Sequence, residues 1–462
     1  MASFPPPAMK PKGGFFIISI LILSSFISFS SAHIFIPIFD PRPWWNWNPN
    51  PSYDQEQPPP QQEQQDPQPE FKFPNVRLKQ AHSVLKAWKD LIDDDPHNML
   101  ANWDGPDVCG YTGVYCETSI DGSKIAVVAG VDLNQGDISG QIPDQIGQLT
   151  DISLLHINSN RFRGKIPNSI SKLTLLHELD LSNNHLSGPF PEIVLDLPNL
   201  KYLDLRYNDF QGPLPPQLFE KNLDALFINN NRFTSVIPET IGKCPASVLV
   251  FSNNKFNGAI PKSIGQMTNL NEVIFSNNEM SGCMPEEIGK IKNLTVVDIS
   301  NNGLTGDLPG LCQLKNAEVF DFSGNKMTGD VPDNICTLPK MENLNFVNNY
   351  FKGIGKVCRD SAFEIALNVS DNCLSDNHNH DQKPKETCDR VLSKPVDCGR
   401  NHNDDKKNTK KPPVIRPPIP PHPSPTPTTI PTQSPPPHSN VKLPPVVGGL
   451  YNSPPPPAIQ GY

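Results

Sequence analysis

The chain has 462 residues, 53 of them proline, and a formal net charge of −9. Such a length holds two or three domains rather than one, and the negative balance gives no reason to expect a nucleic-acid partner. Proline runs at about twice the average usage and gathers at 37–74 and from 412 onward. Those flanks favour polyproline II or disorder and bury little apolar surface, so the foldable part is roughly residues 75–400.

The N-terminus reads as a targeting segment. Lys10 and Lys12 precede the apolar run GFFIISILILSSFISF (14–29), and Ser30-Ser31-Ala32 offers small residues for cleavage. The run is short for a membrane span, so residues 1–32 are expected to be a signal peptide and the protein to be secreted. A Pro/Gln-rich linker follows at 33–74, including PRPWWNWNPN (41–50), which reads as linker rather than a sugar-stacking site.

Residues 75–126 read as a cap. NVRLKQAHSVLKAWKDLIDDDP (75–96) places Leu78, Ala81, Leu85, Trp88 and Ile92 on one helical face, with Asn75 as N-cap. Cys109 and Cys116 then make a local disulfide pair.

From 127 to 357 one pattern recurs, as in ELDLSNNHLSGPFP, YLDLRYNDFQGPLP and VVDISNNGLTGDLP. Two alternating apolar positions lead to an asparagine, then an apolar residue, usually a glycine, and a proline. The asparagines are Asn160, Asn184, Asn208, Asn231, Asn254, Asn278, Asn302, Asn325 and Asn349, spaced by 23 or 24, and Gly136 holds the slot in the first unit. About ten repeats of this period predict an α/β leucine-rich repeat solenoid of plant type. The short alternating stretch is a strand, and successive strands stack in parallel. The buried asparagine bonds backbone groups in a ladder. The Ile-Pro leads into a second extended segment or a helical turn on the convex side.

Residues 358–400 read as a cysteine-rich C-terminal cap, with AFEIALNVSDNCL (362–374) alternating like one further strand. Cys358, Cys373, Cys388 and Cys398 are expected in disulfides, within the chain or in a disulfide-linked homodimer. Cys312 and Cys336 lie one repeat apart and could bridge or stay as thiols, and Cys244 is unassigned. The spacings are not those of a zinc module, and no metal or cofactor is expected.

Alternate strand residues face the concave side. The column between the two core positions holds Asp132, His156, Asp180, Asp204, Phe227, Val250, Ile274, Asp298, Asp321 and Asn345. Tyr202, Ala225, Val248, Glu272, Val296 and Val319 precede it, and Arg206 and Asn229 belong to the column after it. Three adjacent apolar residues flanked by exposed aspartates predict a binding surface for a cationic peptide with hydrophobic anchors. Like charges at Asp180/Asp204 and Asp298/Asp321 would repel until a basic partner relieves them.

LKAWKDLI…DVCGYTGVYC, VAGVDLN, HELDLSNN, LDALFINNNRF and LSKPVDC together resemble the leucine-rich repeat extensins of plant cell walls over roughly residues 75–400. The resemblance implies a repeat domain that binds rapid alkalinization factor peptides, which are basic and cysteine-containing. It also implies a hydroxyproline-rich tail anchored in the wall, and a link through the peptides to receptor kinases. Ala259 stands where that family carries a cysteine, which would leave Cys283 without a partner. The tail, 401–462, has SPPP at 434–437, SPPPP at 453–457, and only Tyr451 and Tyr462 for cross-linking. From Lys406 onward it is basic, with Lys407, Lys410, Lys411, Arg416 and Lys442 and no acid among them, which suits an ionic tether to acidic pectin.

Asn293 and Asn368 begin glycosylation sequons. HNHD (378–381) reads as a solvated loop rather than a metal site. No catalytic constellation stands out, so the chain reads as a non-enzyme. The alternatives to peptide capture are a defence protein like the polygalacturonase inhibitors, which share the repeat, and a purely structural wall protein.

Overall fold

The computed structural model describes residues 71–359, 365–375 and 381–399. The expected signal peptide, most of the linker, HNHD up to His380 and the Pro-rich tail lie outside them.

The cap opens with the helix Val76–Lys89, whose Asn75 side chain accepts the Leu78 N–H. Leu78, Ala81, Leu85 and Trp88 are buried, and Trp88 packs against Trp103 and Phe162. Ile92 does not share that face. The helix stops at Lys89, and Ile92–Asp94 is a strand pairing antiparallel with Ser139–Gly140. The acids after the helix explain the stop, because negative charge at a helix C-terminus opposes its dipole. Asp93 instead pairs with Arg163 and Asp94 with Arg161, while Asp95 accepts the N–H groups of Met99 and Leu100.

Two sheets run the length of the solenoid. The concave sheet has twelve strands, from Val114–Thr118 to Ala366–Asn368, parallel except for the first pair. Its repeat strands are three residues long with a buried centre, such as Leu203, Leu226 and Leu249. The second sheet has ten strands: the cap strand Ile92–Asp94 and nine from the residues just ahead of the proline step, such as Asp209–Gly212 and Lys255–Gly258, ending at Lys326–Met327. After the proline comes a 3-10 turn, such as Glu239–Lys243, Lys262–Gln266 or Glu286–Lys290. Of the two options for the residues after the Ile-Pro, the helical turn is the one found; the second extended segment lies ahead of the Ile-Pro instead.

Asparagine joins the units. Asn231 accepts the N–H of Phe210 in the unit before, and its amide donates to Leu205 O there and to Ile228 O at home. The same set recurs at each asparagine from Asn160 to Asn349. Asn372, fully buried, adds a further rung with Phe351 N–H and Phe346 O. The apolar residue after each rung builds a spine in which Phe210, Phe233 and Phe256 stack at 6.3 and 6.2 Å. Repetition thus converts one buried aromatic into a continuous core, each ring contributing about 2–3 kcal/mol.

The C-terminal cap adds the strand Ala366–Asn368 to the concave sheet, followed by the helix Lys385–Leu392. Disulfides join Cys109 to Cys116, Cys336 to Cys358, Cys373 to Cys388 and Cys283 to Cys398. Cys283 therefore has a partner. Residues 393–399 run back along the flank and carry Cys398 to its rung, a path the repeat pattern does not encode. Cys312 is unbridged because Cys336 pairs forward with Cys358, and Cys244 is a buried thiol. All four tail cysteines are bridged within the chain.

Candidate functional site on the concave sheet

Strand register sets the site. Asp180, Asp204, Phe227, Val250, Ile274, Asp298 and Asp321 are partners in sequence across seven strands. Phe227, Val250 and Ile274 are each half-buried, side by side. Val248, on the strand of Val250, and Val296 and Val319 toward the C-terminal end are also half-buried and add apolar surface, with Glu272 between Val248 and Val296. Small residues follow the column: Ser252, Ser276 and Ser300 are buried and do not cover it. Asn229 is buried behind Phe227 with its side-chain oxygen lacking a hydrogen-bond partner.

The aspartates at one end do not stand in solvent. Asp180 is 4 % exposed and Asp204 0 %, against the exposed rim that strand alternation predicts. Their neighbours cover them. Asp180 accepts the Ser182 N–H and hydroxyl on one oxygen and the Asn158 amide on the other. Asp204 accepts the Arg206 N–H at 3.1 Å, and its second oxygen meets Tyr202 Oη at 3.1 Å and Arg206 Nε at 3.0 Å. The first of these bonds is a property of the fold. Asp132, Asp298 and Asp321 likewise each accept the N–H two residues on, closing the strand end as an Asx turn. The carboxylates at this position therefore serve the backbone before they serve any ligand.

Charge is nevertheless concentrated here. Burial, with Asp180 adjacent, pushes the Asp204 carboxyl up to about 7. Burial also raises Asp298, with Asp321 adding to the effect, and raises Glu272, with Glu318 adding. Glu318 was not among the sequence-level candidates, although it stands one position before the column residues. Arg206 lies with its guanidinium 5.2 Å over the Phe227 ring, and Tyr202 packs 5.5 Å from the same ring. Tyr202, Arg206 and Phe227 thus form an aromatic–cation cluster over a buried carboxylate. His156 Nε2 lies 3.2 Å from Glu178 Oε2 beyond it.

The sequons lie apart. Asn293 is exposed at a turn, its amide donating to Thr268 O at 3.0 Å. Asn368 ends the concave column, pairing with Asn345. Among the described residues no cluster of His, Cys, Asp and Glu could hold a metal ion, and no helix is long and apolar enough to cross a membrane.

A two-sheet solenoid knit by an asparagine ladder, with a helical disulfide cap, defines a plant-type leucine-rich repeat protein. Residues 79–117 match the leucine rich repeat N-terminal domain family, and 175–197, 199–220, 222–244 and 293–314 match the leucine rich repeat family. Pollen-specific leucine-rich repeat extensin-like protein 3 of Arabidopsis thaliana is 67 % identical over 331 residues, 71 % of this chain and 45 % of that protein. Over these residues the chain is similar to the leucine-rich repeat extensin-like proteins, and it spans less than half of this relative's length. Solved structures share the architecture. The plant peptide hormone receptor RGFR1 in complex with RGF2 matches with a TM-score of 0.51 and 28 % identity over 53 % of this chain and 40 % of that one. The Arabidopsis receptor kinase HAESA in complex with the peptide hormone IDA and the co-receptor SERK1 matches at 0.52 and 26 %, over 63 % and 54 %.

Proposed function

We propose that this is a secreted plant cell-wall protein whose concave sheet captures a basic, cysteine-containing signalling peptide of the rapid alkalinization factor class. The observation that carries the reading is the in-register apolar row Phe227–Val250–Ile274, bordered by Asp298 and Asp321 on one side and the Tyr202–Asp204–Arg206 cluster on the other. Half-buried apolar anchors bordered by Asp298 and Asp321 suit a cationic peptide, with Arg206 over Phe227 at the other border left to meet an acidic or carbonyl group of it. The extensin-like relative supports a wall location, and the two receptor ectodomains support peptide binding as a use of this architecture. Through the peptide the protein would link to receptor kinases, and its basic tail would hold acidic pectin. A disulfide-linked homodimer is not part of the reading, because the tail cysteines are spent within the chain. The chemistry on the face is that of binding, with no substrate-cleaving role.

The test is calorimetric titration of the secreted chain with a panel of basic, folded, cysteine-containing peptides, with a polygalacturonase alongside. One peptide should bind tightly. Phe227→Ala should weaken it about tenfold, equivalent to ~1.4 kcal/mol, and Asp298→Lys should slow association and flatten its salt dependence. Complex formation with the polygalacturonase alone would move the protein to the inhibitor class.

A further inference from the structure

A second concavity lies away from the proposed peptide face, on the flank where the second sheet meets the 3-10 turns. It is a groove of about 540 Å³ crossing three rungs. Each rung contributes a proline, Pro238, Pro261 and Pro285, and Val236 and Ala259 line it as well, Val236 being 54 % exposed. The Ala259 methyl is exposed and leaves the middle rung open. Glu239, Glu286 and Glu287 stand along the groove against Lys262, with Lys290 3.9 Å from Glu287, which leaves a net negative charge. Cys398 and Gly399 form part of its wall, because the Cys283–Cys398 disulfide pins the returning chain there.

We propose that this groove is the docking site for a short stretch of the chain's own segment 406–421, KKNTKKPPVIRPPIPP, bound as a polyproline II strand. Three facts select this occupant. The chain passes Gly399 inside the groove, so only residues 400–405 separate the wall from the segment, and six residues reach at most ~20 Å. That tether gives the segment a high effective concentration that no free peptide shares. The charges match: Lys406, Lys407, Lys410, Lys411 and Arg416 carry no acid among them and would meet a net-acidic groove. The surface matches as well. A polyproline II strand is pre-ordered and has few N–H groups to satisfy, so it suits an apolar ledge with no strand edge to pair with. Docking would lead the tail along the flank, clear of the concave sheet.

The test uses the full secreted chain carrying a photo-cross-linking residue at position 236. Mass spectrometry should find links to residues 406–421 of the same chain, with a yield independent of protein concentration. Ala259→Trp fills the middle rung and should cut that yield about fivefold or more. Glu286→Lys with Glu287→Lys should do the same, and about 0.5 M salt should lower it in the unaltered chain. Absence of links to 406–421, links that fade on dilution because they join two copies, or links indifferent to both sets of substitutions would overturn the proposal.

Discussion

Tyr207 shows how far a repeat will bend one residue to keep its ladder. It sits just ahead of Asn208 with φ at 52°, a left-handed conformation that the equivalent Asn183, Asn230, Asn253 and Asn277 share. Asparagine tolerates that region and a bulky aromatic does not. Tyr207 is also 44 % exposed, so its ring contributes little packing. Tyr207→Asn should therefore stabilise the protein by ~0.5–1 kcal/mol, read as a higher thermal midpoint. Asp204 makes the opposite bargain with its surroundings. Its carboxyl is raised to about 7 in the fold, from an ordinary value of 3.8, so the folded state binds the extra proton between those values. Its contribution is then complete below about pH 4 and lost as pH rises toward 7. Asp204→Asn should remove this dependence. Relative to that variant, wild type should lose on the order of 1–3 kcal/mol between pH 4 and 7, seen in melts at the two pH values.

The strands and turns were the most legible elements, because a period of two within a period of 23 or 24 fixes which side chains point inward. That logic gave the concave column and its register. It could not give the burial of Asp180 and Asp204, which depends on what the flanking residues do: Tyr202 and Arg206 fold over one carboxylate, and Asn158 and Ser182 over the other. Asn372 was missed although it lies 23 residues after Asn349, within the stretch 362–374 that alternates like one further strand, because the residues between the two rungs lack the Ile-Pro step. The pairing of Cys283 was hidden for a similar reason, as it depends on a segment that repeats nothing. The 3-10 turns carry a constraint that is visible only once they stack. A Cβ on Gly265 would lie 2.6 Å from Glu287 O in the next turn, closer than atoms can approach. Gly265→Val should force adjacent turns apart and cost roughly 1–3 kcal/mol, whereas Gly212→Ala, where nothing lies within 4 Å, is strained only by its φ of +84°. Comparing their denaturation midpoints separates crowding from backbone strain.

The whole molecule is held in two ways. Units contact neighbours along the solenoid, which makes stability nearly a sum of local terms. The Cys283–Cys398 disulfide breaks that rule by joining positions 115 residues apart. Chain-entropy reasoning gives a loop of that size about 4–5 kcal/mol. Replacing both cysteines by alanine should release residues 393–399 from the flank and speed amide exchange there by roughly tenfold or more, while the strands before Cys283 keep their protection. Acceleration throughout the solenoid would show instead that the bridge stabilises every unit.

That bridge also decides how the protein answers a pull. Tension applied beyond Gly399 enters at Cys283, partway along the flank, and bypasses everything between the two cysteines. The enclosed units are mechanically shielded, and stretching from both termini peels only the units ahead of Cys283. Reducing this bridge alone removes the shield; the Cys336–Cys358 and Cys373–Cys388 bridges still lock 22 and 15 of the 115 enclosed residues, so about 78 become extensible, a gain of roughly 265 Å at ~3.4 Å per residue. In the proposed wall setting the redox state of one sulfur pair would set how much of the chain can extend.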